Sequence, residues 1–116
     1  MKALLVQYDS ETNKHEVVCE SNCMHHSTAF DIVKRNILTR YPGMERDIKI
    51  HRETYTARRK IDEFITNVKL NRYTNDVYKF NWIDALITIC VVNTSDIVIG
   101  EYYIICSQKS FKDIFR

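Results

Sequence analysis

The chain has 116 residues, a formal net charge of +2, 45 % hydrophobic and 28 % charged residues, which suffices for one hydrophobic core and is too short for two ordinary domains. Two glycines and one proline exclude phosphate-cradling loops and dinucleotide fingerprints, which need several glycines close together to turn backbone N–H groups toward phosphate; the glycine-flanked nucleophile elbow goes with them. The isoelectric point near 8.3 is too mild to imply a partner, so any nucleic-acid argument rests on where the cations lie.

One domain over 1–116 is expected. KALLVQY (2–8) and HEVVCE (15–20) read as two strands joined by the polar cluster Asp9 to Lys14, the pattern of a hairpin. Thr28 with Asp31 three residues on is a variant capping box. It introduces a helix on which Phe30, Val33, Ile37 and Tyr41 recur at helical spacing until Pro42-Gly43 stops it. Ile48 and Ile50 alternate with Lys49 and His51, which predicts a strand over Asp47 to Arg52. A second helix, capped by Thr54 or Thr56, carries Ile61, Phe64, Ile65 and Val68 as a narrow apolar stripe. A turn over 71–76 and alternating Tyr78, Phe80 and Trp82 follow. Ala85 to Val92 and Ile97 to Cys106 flank the polar loop 93–96 as a hairpin. Helix is the competing reading for 82–92, and the isoleucine and valine density favours strand. A short helix is expected over 109–116. The fold class is α+β: a mostly antiparallel sheet of four to five strands in the order β-β-α-β-α-β-β, with two main helices.

The start Met1 to Val6 loses its apolar character at Gln7 to Asp9, short of a signal peptide. The longest apolar run, Trp82 to Val92, contains Asp84 and Thr88 and falls well short of a membrane span. We therefore expect an intracellular protein, cytoplasmic or nuclear, with no membrane partner, whose four cysteines are free thiols or metal ligands. Abundant isoleucine, asparagine, lysine and tyrosine beside scarce glycine, proline and alanine reflect AT-rich coding, as in a virus, phage, AT-rich bacterium or protist.

Three surfaces compete for function. In the final strand Ile97, Ile99, Tyr103 and Ile105 share one face while Val98, Tyr102, Ile104 and Cys106 share the other. Two helices either lie on opposite faces and bury both, or leave one face bare. A bare face would expose on the order of several hundred Å² of apolar surface and act as a homodimer or partner interface. With loop 93–96, Cys90 falls opposite Ile99 and Cys106 near residue 83, so the two thiols do not pair.

Cys19, Cys23, His25 and His26 form the densest group of metal-capable side chains, with His15 and His51 as substitutes. Zinc takes thiolate and imidazole in a tetrahedral shell, yet short zinc modules return a dozen or so residues later with a second ligand pair, and here that pair is missing. A Cys-His nucleophile built from Cys23 with His25 or His51 has the residue types without an oxyanion loop. Arg52, Arg58, Arg59, Lys60 and Arg72 set positive charge around the start of the second helix, against its dipole, which suits an acidic partner such as nucleic acid. The alternative there is a solvated face with Arg58–Asp62 and Arg59–Glu63 ion pairs. The leading expectation is a small non-catalytic protein acting through protein–protein interaction, self-associating. A nucleic-acid binder and a zinc-stabilised regulator are the alternatives, and no cofactor is required by the first.

Overall fold

The computed structural model describes residues 1–68 and 82–108. Five strands, β1 (Lys2–Asp9), β2 (Lys14–Asn22), β3 (Ile48–Tyr55), β4 (Ile83–Asn93) and β5 (Val98–Ser107), form one antiparallel sheet in the order β2-β1-β5-β4-β3. Helix α1 (His26–Leu38) follows β2 and helix α2 (Arg58–Asn67) follows β3. The expected element order and α+β class are present, and residues 83–93 are strand, not helix. The turn over 71–76, the alternation of Tyr78 and Phe80 and the helix over 109–116 lie outside the described residues. Among the described residues no helix is long and apolar enough to cross a membrane.

Strand alternation gives the sheet two apolar faces, and one helix takes each. Ala29, Phe30, Val33 and Ile37 of α1 pack on Ala3, Leu5, Ile87, Ile89, Tyr102 and Ile104. Ile61, Ile65 and Val68 pack on Leu4, Val6, Leu86, Tyr103 and Ile105. The three inner strands, β1, β5 and β4, are therefore buried from both sides, which explains why β4 and β5 read as continuous apolar runs.

Local boundaries differ from the sequence expectations for identifiable reasons. Helix α1 begins earlier than Thr28, because His25 is the N-cap: its backbone is extended and its Nδ1 accepts from the Ser27 amide at 3.2 Å, the role usually taken by a short oxygen side chain. Tyr41 lies beyond the helix, its hydroxyl 3.0 Å from that of Tyr102. That contact needs Gly100, since a Cβ there would sit 1.9 Å from the Tyr41 oxygen. Strand β3 runs on to Tyr55, so Thr54 lies within it and cannot cap α2; the N-cap is Ala57, without a side-chain bond.

The β4–β5 register is also shifted. Asn93 Oδ1 accepts from the amides of Ser95 and Ile97 at 2.9 and 3.0 Å, and the turn reaches Ile97, one residue longer than the polar run. A bulge then pairs Val92 with Val98 and Val91 with Gly100, leaving Ile99 without an opposite residue. Cys90 accordingly faces Glu101, not Ile99, and Cys106 faces Ala85. The two added residues preserve the parity of the strand from Gly100 onward, so the faces there remain as the alternation implied, while Ile99 is turned to the opposite side.

Candidate functional site

The four residues expected to form an apolar interface do not share a surface. Tyr103 and Ile105 are 0 % and 1 % exposed beneath α2. Ile97 is exposed in the turn, and the bulge sends Ile99 to the α1 side, where it is partly buried. Tyr103 is further tied to β2: its hydroxyl lies 2.7 Å from Nδ1 of His15, whose Nε2 is 2.9 Å from the Val68 carbonyl. The apolar faces of this sheet are spent inside the chain.

The cysteine and histidine window does not close into a ligand set. Cys23 is buried under α1, its amide donating to the Met1 carbonyl at 3.0 Å. Cys19 stands on β2 opposite Leu5, where burial raises its thiol pKa. His25 is occupied by its capping role, bonding Ser27, and the His26 ring packs against it at 4.0 Å between centroids. Among the described residues no group of three or more histidine, cysteine or carboxylate side chains is placed to hold a metal ion. The ligand types are clustered in sequence, but across the strand end and the helix start no three of them converge on one point.

The basic set is likewise divided. Arg52 belongs to the α1 side of the sheet, its guanidinium 4.3 Å over the Phe30 ring and 4.0 Å from the Asp31 carboxylate. Arg58 donates to the Ile83 carbonyl at 2.6 Å and lies 3.7 Å from Asp62, so it fastens α2 to β4. Arg59 and Lys60 are exposed on the first turn of α2, and Arg72 lies outside the described residues.

What the sequence reading missed lies on the α2 side of the sheet, beside Phe64 of that helix. Lys49, His51 and Glu53 alternate along β3 onto this side, and the register sets His51 beside Cys90 and Cys90 beside Glu101, one polar row across three strands. With Tyr8, Tyr55 and Phe64 the row lines an open cleft of about 300 Å³. Burial and the neighbouring Glu101 charge push the Cys90 thiol up. A nucleophilic cysteine needs the opposite influence, so the His51–Cys90 pair holds a protonated, weakly reactive sulfur at neutral pH. Tyr55 donates a hydrogen bond to Glu53, which fixes that carboxylate and raises the phenol's pKa.

Strand β3 is also an edge of the sheet. It pairs with β4 over all its residues, Ile48↔Asn93 to Tyr55↔Leu86, with no shift, whereas the other edge, β2, is interrupted by a bulge opposite Leu5/Val6. A bulge twists an edge away from further pairing, while a regular edge keeps a row of outward N–H and C=O groups in line. Among the described residues nothing pairs with the outer side of β3. The signal was present in the sequence as Lys49, His51 and Glu53 at i, i+2 and i+4; what periodicity could not show is that this strand lies outermost. Comparison of the chain with known protein families, curated proteins and solved structures gives no match.

Proposed function

We propose that this protein is a non-catalytic interaction module that associates with a second copy of itself by strand addition along the outer edge of β3. The observation that supports this reading best is the regular, bulge-free edge Ile48–Tyr55, since strand addition draws its affinity from main-chain hydrogen bonds and its selectivity from alternate side chains. Both apolar faces of the sheet are covered by the chain's own helices, so the edge replaces the face as the route to self-association. The cleft beside β3, with the Cys90 thiol pushed up by burial and Glu101, fits a role in contact rather than in catalysis.

Sedimentation equilibrium across micromolar concentrations tests the reading. A mass rising toward twice 13.8 kDa is expected. A single species at 13.8 kDa up to several hundred micromolar removes it.

A further inference from the structure

We infer that two copies pair β3 with β3 in one register, His51 opposite His51 on a two-fold axis, held by two Lys49–Glu53 cross-strand ion pairs. This rests on the self-association reading above and adds to it the geometry and chemistry of the contact.

In a symmetric antiparallel pair, each residue i of one strand faces a residue j of the other with i + j constant. Opposed residues share a sheet face, so that sum is even and the axis passes through a residue. The possible centres along Ile48–Tyr55 are distinguished by the charges they oppose. Centring on Lys49 opposes two ammonium groups, and centring on Glu53 opposes two carboxylates. With Arg52 at the centre His51 meets Glu53, but two guanidinium groups meet on the axis. Placing Ile50 there brings Lys49 to His51 and no opposite charges together within the strand. A His51 centre sets Lys49 opposite Glu53 twice on the α2 side, and on the α1 side sets Ile50 opposite Arg52 and Ile48 opposite Thr54. It alone joins opposite formal charges without opposing like ones. Directly opposed side chains in a sheet are the pairs that fix register.

The surroundings fit this contact. Lys49, His51 and Glu53 are exposed, and Tyr55 already orients the Glu53 carboxylate. Arg52 is held back by Phe30 and Asp31, so its aliphatic stem is left to cover Ile50 of the second copy. Charges on an edge strand commonly discourage pairing. Here their order, cation at 49 and anion at 53 on either side of His51, rejects other registers and accepts one.

Charge reversal tests this with the full chain. Lys49→Glu gives a strand with only acidic groups on that face, Glu53→Lys one with only basic groups beside His51, and each is expected to weaken self-association about tenfold or more. An equimolar mixture of the two variants restores every opposite pair, and a heterodimer at wild-type affinity is expected by native mass spectrometry. Both positions are exposed, and unchanged circular dichroism and thermal midpoint of each variant at low concentration will verify folding. Single variants that dimerise as the wild type does, or a mixture that stays monomeric, overturn the register. If the wild type itself never dimerises, the self-association reading falls with it; if the wild type dimerises and the mixture does not, only the register falls.

Discussion

Replacing Tyr103 with alanine is expected to cost about 3 to 5 kcal/mol of folding stability, the range for removing a large buried ring. That is a large fraction of a total that, at about 0.05 to 0.15 kcal/mol per residue, comes to about 6 to 17 kcal/mol here. Tyr103 is fully buried on β5, with Phe64 of α2 edge-on at 5.3 Å and its hydroxyl on His15. One side chain thereby joins the sheet centre, the second helix and the edge strand β2. Tyr103→Phe keeps the ring and removes the hydroxyl with its 2.7 Å hydrogen bond to His15, so about 1 kcal/mol is expected. Urea denaturation at one fixed low protein concentration separates the two, and near-equal losses for Ala and Phe would contradict the packing account. The same cluster predicts a pH limb. Burial holds the His15 pKa below its ordinary 6.5, so between those two values the unfolded chain binds more protons than the native one. Stability from this group is complete above 6.5 and declines as pH falls through that window, levelling below the native pKa.

Ile65→Ala is the second large effect, about 2 to 5 kcal/mol in the same urea experiment. Helix α2 has 10 residues, no capping side chain and no acidic residue in its first turn, where Arg58, Arg59 and Lys60 oppose the helix dipole. A helix that short is marginal in isolation. Its order therefore comes from Ile61, Ile65 and Val68 against the sheet and from the Arg58 bond to Ile83. Loss of Ile65 should speed tryptic cleavage at Arg59 and Lys60 under native conditions, as the helix lifts from the sheet more often. Cleavage no faster than in the wild type would place the stability of α2 in the helix itself.

Element order and fold class were legible because alternation and helical spacing are local signals. The caps were less so. His25 took a position where hydroxyl and carboxylate residues are usual, β3 ran through Thr54, and the N-cap of α2 fell on Ala57, one residue past Thr56. The hairpin register escaped because Asn93 closes a turn one residue longer than its polar run and a bulge follows it. Candidate sites fared worst, since each depended on long-range placement. Neighbouring cysteines and histidines were split between a strand end and a helix start, so that no three of them converge. Arg52 and Arg58, close in sequence, ended on opposite sides of the sheet, and two interface isoleucines were separated from Tyr103 by the bulge and the turn. The edge at β3 follows from strand order, which no local pattern encodes.

That edge carries the account, and amide hydrogen exchange at increasing protein concentration examines it most directly. Outward-facing amides of Ile48–Tyr55 should exchange more slowly as concentration rises, because a second strand takes up their N–H groups, while amides of the other edge, Lys14–Asn22, keep their rates. Concentration-dependent protection of Lys14–Asn22 in place of β3, or protection of neither strand, would contradict it.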